Sequence, residues 1–151
     1  RSHLLQRFQQ ARSDLSQRYS TPLKHNINQV LQPLLRNPTD SCSIHYDPQD
    51  GLQQLGLQRE GTLFAFDQLS GGMKEQLNAA LRIAIADTLK ERHGGCLPLL
   101  FDDAFANTDA QRLEGVLEML QQAVSRGLQV IVLSCDPDPY KSVANKLIMI
   151  D

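Results

Sequence analysis

Residues 66–92 read FDQLSGGMKEQLNAALRIAIADTLKER, and they place Ser70-Gly71-Gly72 directly before a long amphipathic pattern. The spacing predicts a helix from Met73, with Met73, Leu77, Ala80, Leu81, Ala84, Ile85, Thr88 and Leu89 on one stripe. Gly94-Gly95 would close it as a C-cap. Two adjacent glycines cost backbone entropy wherever they are ordered, so something should need their bareness. A tight loop entering a helix would suffice. So would a helix N-terminus kept bare for a phosphate, because orphan N–H groups and about half a positive charge gather there. Ser70 would add a hydroxyl to such a site, but Ser-Gly-Gly alone does not separate the two readings.

Downstream, the pattern changes to continuous apolar runs alternating with a helix. CLPLLF (96–101), LQVIVLS (128–134) and KLIMI (146–150) read as buried strands. Between the first two, AQRLEGVLEMLQQAVSRG reads as a helix capped by Asp109 and ended by Gly127. Strand, helix, strand of this kind predicts an α/β fold with a parallel core sheet and flanking helices. In open parallel sheets ligands bind beyond the carboxyl ends of the strands. Asp102 and Asp103 fall there, directly after PLLF. One such carboxylate can hold Mg²⁺ with waters and phosphates, and the second can orient an attacking water. Strands often end in Asp at a turn, so the pair is weak evidence by itself.

Upstream, Leu4, Phe8, Ala11 and Leu15 follow coiled-coil spacing for about two heptads. Pro22 reads as a fresh helix start, followed by an apolar stripe at Leu23, Ile27, Val30, Leu31 and Leu34. Asn37 to Ser41 is a breaker cluster. Short strand-like segments at 43–46, 52–57 and 62–66, separated by Asp47-Pro48 and Glu60-Gly61, predict a small antiparallel meander. Residues 1–36 thus read as a helical segment, and residues 37–151 as one α/β unit.

The 151 residues are 41% hydrophobic and 21% charged, which suits a folded domain rather than disorder. No apolar run approaches a membrane span and no signal-like segment opens the chain, so no membrane association is expected. Three cysteines, Cys42, Cys96 and Cys135, form no CxxC pair. A reduced, cytoplasmic compartment fits them, and Cys135 reads as a buried strand-end thiol. Residues 1–36 hold Arg1, Arg7, Arg12, Arg18, Lys24 and Arg36 against Asp14 alone, within a chain of net charge -2. A basic first segment could lie along nucleic acid, although a solvated helix face explains charges this sparse equally simply.

Taken in order, LSGG (69–72), LPLLFDD (97–103) and ANTDAQR (106–112) resemble the signature motif, Walker B and D-loop of an ABC-type ATPase. FDQLSGGMKEQLNAALRIAIAD is more similar to SMC and SbcC-like chromosome and DNA-repair ATPases than to transporters, which tend to have Gln where Met73 stands. The resemblance implies the C-terminal lobe of a head that sandwiches ATP and Mg²⁺ against a second head. Ser70, Gly71 and Gly72 would then contact ATP in trans, with Gln76 supporting the signature loop and Asp109 at the dimer interface. Asp102 would hold Mg²⁺ through water. Asp103, in the place of a catalytic Glu, would polarise the attacking water with a shorter arm. The family also implies DNA as a partner, and it leaves open a nuclease subunit beside the head.

Two departures stand out. None of the nine glycines begins a GxxxxGK[ST] run, so the Walker A lobe must come from another segment. Where the family has a switch histidine after the second core strand, VIVLSCDPDPY has Asp136. A positioned acid or base contributes roughly 10²- to 10⁴-fold in rate, so slow hydrolysis is expected. The rival readings are a nucleotide-gated structural clamp with little turnover and the nucleotide-binding domain of an ABC transporter.

Overall fold

In the computed structural model, the described residues are 6–7, 10, 21–35, 37–47, 51–95, 97–106 and 108–150. The coiled-coil seam Leu4, Phe8, Ala11 and Leu15 lies outside them. Residues 21–31 are helical (α1) and run into a 3₁₀ turn, Gln32–Leu34. A three-stranded antiparallel meander follows: β1 (Ser41–Asp47), β2 (Gly51–Arg59) and β3 (Thr62–Ala65), in spatial order β1-β2-β3. Then come α2 (Gly71–Leu89), β4 (Leu99–Asp102), α3 (Ala110–Ser125) and β5 (Val130–Leu133). β4 and β5 pair in parallel, with Leu99 opposite Val130 and Asp102 opposite Leu133. The α/β architecture expected from the apolar runs is present.

The meander follows its turn chemistry. Arg59 pairs with Thr62 across a two-residue loop, and Glu60 and Gly61 both take positive φ (47° and 78°). That is the mirror-image turn matching the twist of paired strands. The register slips between His45 and Tyr46, which face Gln54 and Leu52, so the extra residue of the bulge is Gln53 of β2.

One apolar core unites these elements. α1 contributes Ile27, Val30 and Leu31; α2 contributes Leu77, Ala80, Ile83 and Ala84; β4 contributes Phe101; α3 contributes Val116, Met119 and Ala123. Fully burying side chains of this size contributes about 1.5–3 kcal/mol each for the larger ones. Polar ties fix α1 in place. The Asn26 amide donates to Thr88 Oγ1 at 2.9 Å, and Asn28 Oδ1 accepts from the Cys42 amide at 2.7 Å. At the far ends of α2 and α3, Lys90 Nζ donates to the Arg126 carbonyl at 2.5 Å, an orphan acceptor at the α3 C-terminus. Asp87 bridges both cations, at 2.8 Å from Lys90 and 3.7 Å from Arg126.

Among the described residues, the parallel sheet is covered on one face only. Leu99 and Phe101 point into the core, whereas Leu100, Ile131 and Leu133 are exposed. Parallel strands are ordinarily apolar because helices cover both faces. Residues 146–150, expected to be a buried strand, are not a strand, and Leu147, Ile148, Met149 and Ile150 are exposed. An apolar run becomes a strand only where a neighbour supplies the hydrogen-bond ladder, and among the described residues this sheet holds two strands.

Two outcomes test this packing. A Cβ on Gly115 would sit 2.5 Å from the Pro33 carbonyl oxygen and 3.2 Å from Leu34 Cδ2, so α3 and the 3₁₀ turn approach each other there through bare backbone. Gly115→Val should lower the unfolding free energy by about 1–3 kcal/mol, read by urea denaturation. Burial pushes the Cys42 thiol up to about 12 from its ordinary 9.0, with the Lys24 charge partly opposing. A folded-state value raised above the unfolded one means that the contribution is complete below pH 9 and lost as pH rises towards 12. Urea midpoints should therefore fall over that window, and less steeply in Cys42→Ala.

Candidate functional site

Ser70 caps α2. Its backbone is extended (φ −62°, ψ 156°), its hydroxyl accepts from the Met73 amide at 3.4 Å, and its carbonyl accepts from the Lys74 amide at 2.9 Å. The helix therefore begins at Gly71, two residues before the Met73 expected from the apolar stripe. Upstream, Gln68 Oε1 accepts from the Ala65 amide at 2.8 Å and holds the approach to this turn. A Cβ on Gly71 would meet nothing within 4 Å, and Gly71 does not take positive φ. Neither backbone conformation nor packing within the described chain calls for a glycine there. The 19-residue helix thus starts at a glycine with open space beside it.

Gln76 lies one to two turns further on, on the inward face of α2. It is 0% exposed, and neither its Nε2 nor its Oε1 has a hydrogen-bond partner. Leaving a buried amide unsatisfied costs about 1–3 kcal/mol per group.

The strand ends form the second half of the site. Asp102 ends β4, exposed, with its carboxylate available to a hard cation. Asp103 takes φ 44°, the left-handed region that Asp and Asn tolerate better than most side chains. Its amide donates to the Leu133 carbonyl at 3.0 Å, which prolongs the β4–β5 ladder by one step. Its Oδ1 accepts from the Cys135 amide at 3.3 Å, and its Oδ2 lies 3.8 Å from Cys135 Sγ. The residue after the sheet is thus clamped between both strand ends. Cys135, expected to be buried, is exposed, because the chain leaves the sheet at Ser134.

Asp136 reaches the same corner in another role. Its Oδ1 accepts from the Asp138 amide at 3.2 Å and so starts the 3₁₀ turn Asp138–Tyr140. Ser134 Oγ donates to the Asp136 carbonyl at 2.9 Å. Tyr140 closes this loop. Burial first, then the charges of Asp103 and Asp136, push its phenol above the ordinary 10.0. The sequence carried no spacing signal for Tyr140; only its place soon after an apolar strand could have drawn attention to it.

Asp109 caps α3. Its Oδ1 accepts from the Arg112 amide at 2.9 Å, and its Oδ2 pairs with Arg112 Nε at 3.3 Å. Beside it, the Thr108 hydroxyl is buried without a partner. The structure therefore gathers Asp102, Asp103, Cys135, Asp136 and Tyr140 at one end of the sheet. No hydrogen bond or ion pair among the described residues joins Ser70, Gly71 or Gly72 to that group. The arrangement suits two half-sites on one chain, each facing outward. No group of three or more metal-ligating side chains occurs among the described residues, so a cation at Asp102 would need waters and phosphates as further ligands.

No protein-family model matches the chain. An uncharacterized protein of Mycobacterium tuberculosis is 40% identical over 126 residues, covering 83% of this chain and 14% of that protein. The uncharacterized protein YhaN of Bacillus subtilis is 38% identical over 80 residues, covering 52% of this chain and 8% of YhaN. The chain thus spans about one-seventh or less of the relatives it matches. Among solved structures, an SMC ATPase described for ATP-driven dimerization and DNA-stimulated activation matches with a TM-score of 0.69 at 21% identity, over 91% of this chain and 81% of that one. The Smc head domain with coiled coil and joint from Pyrococcus yayanosii gives 0.70 at 21% identity, over 95% and 27%. The Smc head domain of Pyrococcus furiosus bound to the C-terminal domain of ScpA gives 0.64 at 21%, over 85% and 31%. The fold is that of the C-terminal segment of an SMC-like ATPase head.

The geometry of Asp103 separates charge from shape. Asn tolerates left-handed backbone and can accept the Cys135 amide, so Asp103→Asn should unfold within about 0.5 kcal/mol of the wild type. Asp103→Val, with a branched Cβ at φ 44°, should lose about 1–3 kcal/mol. Urea titration of the three chains checks both.

Proposed function

We propose that this segment is one lobe of an ATPase head that hydrolyses ATP between two heads and acts on DNA. The observation that carries the proposal is the clamped pair Asp102–Asp103 at the joint end of β4 and β5, on an SMC head fold. Asp102, exposed beyond the last ladder pair, would hold Mg²⁺ through water. The cation would supply neutralising charge to the phosphates. Asp103 is fixed by its own backbone and by the Cys135 amide, and it would orient the attacking water with its remaining lone pairs. Such preorganisation matters because a donor or acceptor already in place need not reorganise during reaction.

Ser70 and the α2 N-terminus would take the γ-phosphate held by the partner head, and Asp109 would lie along that same seam. The uncovered apolar face of Leu100, Ile131 and Leu133, with the exposed run Leu147–Ile150, supports a Walker A-bearing lobe of the same protein as the missing cover. DNA is supported by the SMC ATPase of like fold that DNA stimulates, and a protein partner by the Smc head bound to ScpA. Repair, chromosome maintenance and defence all suit such a head, with or without a nuclease subunit, in the cytoplasm. The clamp reading, with dimerisation but little turnover, is favoured by Asp136, whose charge repels a phosphate.

Phosphate release by this segment assembled with the Walker A lobe of its own protein tests the reading. Wild type should turn over slowly with ATP and Mg²⁺. Asp103→Asn should lower the rate by about 10²-fold or more while ATP-dependent dimerisation persists. Ser70→Arg should abolish both dimerisation and turnover. Dimerisation without phosphate release in the wild type would establish the clamp, and no ATP binding at all would overturn the proposal.

A further inference from the structure

The backbone and the carboxylate of Asp103 are held by different parts of the chain. Its amide donates to the Leu133 carbonyl at 3.0 Å, and its carbonyl accepts from the Ala106 amide at 3.2 Å. Those bonds fix the backbone at φ 44°. The carboxylate is engaged at both oxygens by one residue. Oδ1 accepts from the Cys135 amide at 3.3 Å, and Cys135 Sγ donates to Oδ2 at 3.8 Å.

Cys135 is itself set in the pose that these contacts need. Its two neighbours close a small ring around it: Ser134 Oγ donates to the Asp136 carbonyl at 2.9 Å and accepts from the Asp136 amide at 3.2 Å. That ring begins directly after Leu133, the last residue of β5 and the one whose carbonyl takes the Asp103 amide. Amide and thiol therefore reach Asp103 from a turn tied to the same strand end.

The two contacts have different effects. One hydrogen bond on Oδ1 leaves the carboxylate able to turn about its last torsion, which is broad for aspartate. A second on Oδ2 fixes the plane of the group. Any residue except proline would supply the amide at position 135, whereas the second donor comes from the side chain. A carboxylate offers about four lone-pair sites, so two remain for a water after both contacts are made.

Resting on the ATPase reading above, we propose that Cys135 is a positioning residue: its thiol sets the plane of the Asp103 carboxylate, and through it the direction in which the attacking water is held. Cys135 forms no covalent bond in this role and contacts no nucleotide. Its whole effect on the rate passes through Asp103. Its side chain is exposed, so replacing it leaves the apolar core intact.

The experiment measures ATP turnover by the assembled full-length protein in a double-mutant cycle of Cys135→Ala and Asp103→Asn, with Cys135→Ser beside it. Alanine keeps the amide and removes only the thiol. We expect kcat to fall about 5- to 20-fold, with KM and the melting temperature little changed, as for the loss of one hydrogen bond to a charged group. Serine restores a donor and should turn over faster than alanine. In the Asp103→Asn background, Cys135→Ala should cost less than about twofold, because a residue acting only through Asp103 has nothing left to position. The same fold-loss in both backgrounds, a Cys135→Ala rate within twofold of the wild type or above it, or serine no faster than alanine overturns the inference alone. A wild type that releases no phosphate overturns the ATPase reading, and the role of Cys135 falls with it.

Discussion

The parallel pairing of β4 with β5 is the constraint from which the rest of the structure follows. Its last step is not a strand pair but the Asp103 amide on the Leu133 carbonyl. That bond forces the chain to turn at once, and the turn is made in left-handed backbone by a residue that carries charge. A glycine would adopt the same φ without a Cβ penalty. Aspartate there keeps the turn and adds a carboxylate, held in place by the first free amide after the neighbouring strand. Phe101, one residue inside the sheet, fills the core and stacks obliquely on Phe105 with ring centres 5.5 Å apart. Both sides of the acid pair are thereby anchored.

Charge is distributed as a consequence. Acids collect at the sheet end because each has a local backbone task there: Asp103 receives the Cys135 amide, and Asp136 starts the following 3₁₀ turn. Asp109 does the same for α3. Each of these tasks calls for an oxygen acceptor with a fixed direction, which a short carboxylate side chain supplies. The result is a negatively charged corner at the carboxyl end of the parallel strands.

Much of this was legible in the chain. Local chemistry announced the Glu60-Gly61 hairpin, the Asp109 cap and the Gly94 end of the α2 region, where φ is 71°. Each depends on two to four consecutive residues. The order of LSGG, LPLLFDD and ANTDAQR pointed to the head fold, which the structural likeness shares. What depended on partners was not legible. KLIMI has strand composition, but a ladder needs a neighbour that composition does not encode. Cys135 was expected inside because the strand before it is apolar, and it is outside because the sheet ends one residue earlier. Gln76 sits on an apolar face with its amide unsatisfied, a conflict visible only once burial is known.

The clasp at the far end of α2 has a mechanical corollary. Asp87, Lys90 and Arg126 pin the C-terminal turn of α2 to that of α3, and Asn26 grips Thr88 from the other side. At the N-terminal turn Met73 is buried in its place and Lys74 Nζ lies 5.9 Å from the centre of the Phe66 ring. Nineteen residues at about 1.5 Å each make a stiff rod of roughly 28 Å. That rod is buried along one face from Met73 through Leu77, Ala80 and Ala84, and Arg82 ties its middle to the Leu100 carbonyl of β4 at 2.8 Å, so a displacement at the clasp is carried along the whole helix to the Ser70 cap.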